Sequence, residues 1–206
     1  MPKRRVEKRW DAPPETLAPL VTFLGSLQVF AEATETDLRR LAVAAEDRVY
    51  PPGTDVIREM RIPTHFYAVR TGVLEVWSRG ESEEPRKLNT LKEGDHFGEI
   101  GLIEGMPSTA TVSTATSCEL VRIPAADFLG VLSESPALIQ PLLQRVAGAL
   151  ARSHPSYRLA TEDLVERPTG DLLEALRSRL AQLSPDERAR FIAEVREVID
   201  EQGSAG

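Results

Sequence analysis

The residues best placed to do chemistry lie between Phe97 and Val112, where the chain reads FGEIGLIEGMPSTATV. Gly98 permits a backbone conformation closed to other residues. A short helix starting there leaves its first N–H groups without partners, and such ends attract anions. Glu99, beside those donors, is a fixed carboxylate able to accept a hydrogen bond from a hydroxyl. Ser108 adds a hydroxyl at the far end of the stretch. This is chemistry of binding, not of catalysis. There is no nucleophile elbow, no Walker loop and no histidine pair at metal spacing. His65, His96 and His154 are scattered. His96 is read as a structural, hydrogen-bonded side chain, with a pH-dependent charge at the mouth of a site as the sharper alternative. Cys118 is the sole cysteine, which excludes an intrachain disulfide framework or a cysteine-based zinc cluster. Among Thr116, Leu120 and Val121 it reads as a small buried hydrophobe on a strand.

The elements that must position these residues follow from periodicity. Leu17, Leu20, Val21 and Leu24 recur at helical spacing within Pro14–Leu27. Thr34 precedes Asp37 by three residues, a weak capping-box signal for a helix carrying Leu38, Leu41, Ala42 and Ala45. After Asp47 the period shortens to that of strands. Val56-Ile57, His65–Val69, Val73–Trp77, Lys87–Leu91, Ala110–Thr114 and Glu119–Ile123 are predicted strands. Pro51-Pro52-Gly53, Thr71-Gly72 and Gly94-Asp95 turn between them. Short strands at this spacing predict a closed antiparallel β-roll. Ala125–Leu132 predicts a short helix. From Pro136 to Ala151 an apolar stripe predicts a long one, kinked at Pro141. Residues 153–168 read as a linker. Leu172–Leu183 and a second helix started by Ser184-Pro185-Asp186-Glu187 then form an α-helical hairpin, 169–202. Its two apolar faces alone bury too little for independent stability, so it needs a partner.

Phe97–Ile103 followed by Thr109–Val112 resembles the phosphate-binding cassette of the cyclic nucleotide-binding domain family, the type found in catabolite activator proteins and in regulatory subunits of cAMP-dependent kinases. The resemblance covers roughly Leu24 to Ala151 and implies an α+β fold: an antiparallel β-roll (jelly-roll barrel) flanked by helices. It implies that Glu99 holds a ribose 2′-hydroxyl. It also implies that the backbone of Gly98, Glu99, Ile100, Thr109 and Ala110 holds a cyclic phosphate. The family's phosphate-pairing Arg is replaced by Ser108, which brings neither charge nor a fork of donors. Rescue would need another cation, and Arg58, Arg61, Arg70 and Arg86 flank strands. A second departure is Glu59-Met60-Arg61-Ile62-Pro63, at a turn where the family often has Gly. The catabolite-activator winged helix-turn-helix has no counterpart here.

Composition narrows the classes further. The chain has 206 residues, 41% hydrophobic and 28% charged, as expected of a globular protein. Aromatics are only 5%, so the core must be mainly aliphatic. A net charge of -7 disfavours a nucleic-acid binder. Lys3, Arg4, Arg5, Lys8 and Arg9 make residues 1–13 a polar basic arm, read as solvated. No apolar run is long enough to span a bilayer, and Met1–Arg5 lacks the apolar segment of a secretory signal, so a reducing, cytoplasmic setting is expected. The expected organisation is an arm (1–13), a cyclic nucleotide-binding-like domain (14–152), a linker (153–168) and a hairpin (169–202).

The functional expectation is a non-enzymatic regulatory module. A weakly held cyclic nucleotide (cAMP or cGMP), with no metal, or a protein on the roll would shift the helices that follow. The alternative is an interaction scaffold with a vestigial pocket, recruiting a protein through the hairpin. The stripe at 136–151 fits packing on its own roll or pairing in a homodimer, and both stay open.

Overall fold

Two amphipathic helices open the structure. It is a computed structural model describing residues 14–79, 85–105, 107–135, 137–139 and Ser178. The expected arm, the linker, the hairpin apart from Ser178, and the long helix beyond 139 with its Pro141 lie outside the described residues. Helix α1 (Pro14–Ser26) starts on a proline, whose fixed φ suits a first helical position, and buries Leu17, Leu20 and Leu24. A 3-10 turn, Gln28–Phe30, carries Phe30 inward.

Helix α2 (Glu35–Ala44) begins at Thr34 with a complete capping box. The Asp37 N–H donates to Thr34 Oγ1, and the Thr34 N–H donates back to Asp37 Oδ2, each at 3.2 Å. The weak sequence signal is thus a full motif, and tertiary structure enlarges it. Ser135 Oγ, 98 residues on, donates to the same Asp37 oxygen at 2.8 Å. Burial alone would push the Asp37 carboxyl up. Hydrogen bonds from Thr34 and Ser135 and the nearby Arg40 charge outweigh it and hold the group below its ordinary value.

The strands are β1 (Glu46–Tyr50), β2 (Asp55–Ile57), β3 (His65–Thr71), β4 (Leu74–Ser78), β5 (Arg86–Leu91), β6 (His96–Phe97), β7 (Thr111–Thr114) and β8 (Cys118–Pro124). They form two four-stranded antiparallel sheets, β1-β8-β3-β6 and β2-β7-β4-β5. The predicted β-roll is therefore present, its six expected strands within a few residues of their bounds, while β1 and β6 were not among the expected strands. Strand β7 starts one residue later than the predicted Ala110.

The central strands explain the layering. Phe66, Tyr67, Ala68 and Val69 of β3 are all buried. Alternate side chains point to opposite faces of a strand. Phe66 and Ala68 accordingly join the core under the helices, while Tyr67 and Val69 join the core between the sheets. Strand β8 divides likewise, with Val121 and Ile123 on the helical side and Cys118 and Leu120 between the sheets. Cys118 is buried, as the sequence predicts.

Helix α4 (Ala125–Glu134) closes the helical layer. Phe128 stacks on Phe66 at 4.8 Å between ring centroids, and Phe30 meets Phe66 at 5.3 Å. This aromatic cluster ties α4, the 3-10 turn and the sheet together despite the low aromatic content.

Candidate functional site

Strand β6 ends at Phe97, and the chain must enter a helix within one residue. Gly98 does so at φ 93°, and a Cβ there would lie 2.8 Å from the His65 carbonyl oxygen. Glycine is needed on both counts. Helix α3 (Glu99–Glu104) follows and ends on Gly105 at φ 65°. Its first helical bond runs from the Leu102 N–H to the Gly98 carbonyl at 3.1 Å. The N–H groups of Glu99, Ile100 and Gly101 thus precede any helical acceptor. Leu102 and Ile103 bury inward and fix the helix against the roll.

Gly98, Glu99, Ile100, Ser108 and Thr109 come together in one pocket, as their sequence pattern implies. Its volume with its open mouth is ≈ 410 Å³. Ala110 stands behind it, 1% exposed, and is absent from the lining. Ile57, Pro63, Phe97, Pro107 and Val112 supply apolar walls. Ile57 and Pro63 escaped the sequence reading, because β2 reaches the pocket through its pairing with β7 and the loop that follows it is held there by its bonds to Ser108. The alternation of Val56 and Ile57 was the only available sign.

Among the described residues, Glu99 is the sole charged one in the lining. It is 6% exposed, and its Oε2 is buried with no hydrogen-bond partner. Ser108, by contrast, is fully engaged. Its Oγ donates to the Ala110 carbonyl at 2.7 Å and accepts from the Ala110 N–H at 3.3 Å. Its main chain is clasped by the preceding loop. The Ser108 N–H donates to the Arg61 carbonyl at 2.9 Å, and the Met60 N–H donates to the Ser108 carbonyl at 2.8 Å. That loop is the Glu59–Pro63 turn, the second departure from the family pattern. Met60 itself takes the left-handed conformation, φ 62°, that a glycine would otherwise fill.

None of the four candidate arginines lines the pocket. Arg58 pairs with Asp55 at 3.3 Å. Arg70 pairs with Asp47 at 3.0 Å and lies 4.6 Å over the Phe23 ring. Arg61 adjoins Ser108 through its main chain only, and Arg86 sits on the outer strand β5 opposite Ser78. His96 lies outside the lining and is stacked on Phe66 at 5.9 Å, which assigns it the structural role. Burial, reinforced by the Arg122 charge, pushes the His65 imidazole down from its ordinary value. Among the described residues no cluster of His, Cys, Asp or Glu could hold a metal ion, and no helix is long and apolar enough to cross a membrane.

A two-sheet antiparallel roll with a glycine-bracketed short helix at a pocket defines a class of small-molecule-binding domain. Comparison with known proteins identifies it. Residues 47–135 match the family described as Cyclic nucleotide-binding domain, and this stretch of the chain is a domain of that family. The cAMP-dependent protein kinase regulatory subunit of Yarrowia lipolytica is 35% identical over 101 residues, which are 49% of this chain and 26% of the relative. The chain therefore spans about a quarter of that relative's length. Among solved structures, the sensor domain of the transcriptional regulator DNR from Pseudomonas aeruginosa shares the fold. Its TM-score is 0.61 at 20% identity, over 67% of this chain and 93% of that one. A regulatory subunit of a cAMP-independent protein kinase A from Trypanosoma cruzi, bound to guanosine, has a TM-score of 0.58. It is 21% identical, over 73% of this chain and 50% of that one.

Proposed function

We propose that this chain is a non-enzymatic regulatory module of the cyclic nucleotide-binding type. A small molecule in the cassette pocket biases the helices that follow the roll, and cAMP or cGMP is held only weakly there. The observation that carries this reading is the closed hydrogen-bond pair between Ser108 and Ala110. It spends the hydroxyl that stands where the family has an Arg, and it occupies an N–H otherwise free for a phosphate. Losing a buried charge partner costs ~2–5 kcal/mol, and each ~1.4 kcal/mol is tenfold in affinity.

Packing supports a coupling route. Leu102 and Ile103 of α3 share one core with Phe128, Val131 and Leu132 of α4 and with Leu138 and Ile139 beyond it. A ligand that moves α3 presses on the start of the next helix. It shifts that helix only by as much as its affinity differs between the two positions. The receiver is a protein partner or a second copy paired through 136–151, in a reducing, cytoplasmic setting.

Thermal unfolding with millimolar cAMP or cGMP tests the reading. Wild type should shift little, and Ser108→Arg should shift clearly. Silence in both would reject a usable pocket. The scaffold reading then takes its place, and it requires that deleting 169–206 abolish co-purification of a partner while Glu99→Ala leaves it intact.

A further inference from the structure

We infer that the Glu59–Pro63 loop is the docking site for the chain's own C-terminal segment, residues 185–202, which lies outside the described residues. The inference goes beyond the regulatory reading above and does not depend on a ligand in the pocket.

The loop is singled out by what it exposes. Among the described residues four large apolar side chains are exposed, and two of them share this loop, Met60 at 76% and Ile62 at 58%. Val49 on β1 and Leu88 on β5 are single exposures of an ordinary kind. Arg58 and Arg61 are exposed beside the apolar pair. Glu59, the loop's one acid, is engaged elsewhere. Its carboxylate accepts from the Ser78 hydroxyl at 2.9 Å and from the Arg79 N–H at 3.1 Å. The tip therefore offers apolar and cationic groups together, on a chain whose net charge is -7.

The tip is also held in place. The Glu59 N–H donates to Thr111 Oγ1 at 3.0 Å, the Met60 N–H to the Ser108 carbonyl at 2.8 Å, and the Arg61 N–H to the Arg58 carbonyl at 3.1 Å. A surface already ordered loses little entropy when it is covered.

The C-terminal sequence supplies the complement. Phe191, Ile192, Val195, Val198 and Ile199 recur at helical spacing, which predicts one apolar stripe. At 3.6 residues per turn, Glu187, Glu194 and Glu201 fall in a row along one edge of that stripe. Residues 185–202 hold six acids against three arginines. An apolar stripe with an acidic border matches an apolar pair with arginines beside it. Reach is no obstacle. The 45 residues from 140 to 184 span up to about 150 Å when extended, and a compact body the size of residues 14–139 has a radius of gyration of about 14 Å. Tethering makes the contact intramolecular, which favours this segment over a free partner of equal affinity. Seated there, it rests on the loop that clasps Ser108, so the tail and the cassette share one support.

Two measurements on the full chain test the inference, and it needs both. With p-benzoylphenylalanine in place of Ile62, irradiation should give a product of monomer mass whose cross-link maps to residues 185–202. In the otherwise unaltered chain, oxidation of Met60 by dilute peroxide, followed by mass spectrometry, should be slow. Val195→Asp should speed it at least about threefold, and so should Glu187→Gln, Glu194→Gln and Glu201→Gln together. These changes lie outside the roll, so the loop that is read stays intact. Equal oxidation rates in all three chains overturn the inference. So does an absent cross-link, or one to any other segment. A cross-linked product of dimer mass overturns it as well, since a second copy then occupies the tip. Each of these results leaves the pocket reading untouched.

Discussion

Asp37 and Glu99 are two acids at nearly equal depth, 7% and 6% exposed, yet they are treated in opposite ways. Asp37 Oδ2 collects donors from the Thr34 N–H, the Thr34 hydroxyl at 2.7 Å and the Ser135 hydroxyl at 2.8 Å. Glu99 Oε2 collects none. Burial alone therefore says nothing about role. A buried carboxylate whose donors come from its own chain is a structural clamp, here joining the start of α2 to the end of α4. A buried carboxylate oxygen held without a donor is destabilising, and the fold tolerates it in the lining of a pocket.

The largest effect should come from breaking the clamp. Asp37→Ala strips the capping box and leaves three donors unmet, which should cost about 2–4 kcal/mol of stability. A lowered urea midpoint at unchanged slope is the readout, and an unchanged midpoint would remove the clamp from the account. Glu99→Gln should move the other way. Exchanging a carboxyl whose buried Oε2 has no donor for a neutral amide should raise stability of the unliganded chain by about 1 kcal/mol. If the same measurement shows a loss, the contrast between the two acids fails.

Acid sharpens the contrast further. The folded Asp37 carboxyl is held below the ordinary value of an aspartate, so the unfolded chain binds that proton more readily. Its stabilising contribution is complete above that value and is lost as pH falls through the lower folded value. Acid unfolding of wild type should therefore steepen below about pH 4, and Asp37→Asn should flatten it. Identical acid titrations of the two chains would contradict this sign. The smallest effect belongs to the exposed pair beside the clamp. Arg40 and Glu134 approach to 2.7 Å with side chains 42% and 65% exposed, so Arg40→Ala should change stability by under about 0.5 kcal/mol. A larger loss would mean that the guanidinium supports Asp37 directly.

Much of the fold was legible because its signals are local. Glycine at 98 and 105, proline at 107 and the β-branched run from Thr111 announce the turn, short helix and strand of the cassette. Strand and helix limits followed from turn residues and periodicity to within a few positions. Three features were not legible. The continuous apolar run in β3 does not say which side chain faces which core, since both faces are covered. His96 stands next to the cassette in sequence, yet its strand orients it onto Phe66. Ile57 enters the pocket because β2 pairs with β7, and Pro63 because the loop after β2 is hydrogen-bonded to Ser108.

The amino-acid order alone determined that a glycine-framed carboxylate would sit at the start of a short helix in an antiparallel roll, and that Ser108 would bring no charge to it. Those are properties of residue type and neighbouring backbone. Only the tertiary structure decided that Glu99 Oε2 would be left without a donor, that the Ser108 hydroxyl would close on Ala110, and that none of Arg58, Arg61, Arg70 and Arg86 would line the pocket. Each depends on where distant segments pass in space. A hydrogen bond needs its partners within about 3 Å, and local sequence does not encode that proximity.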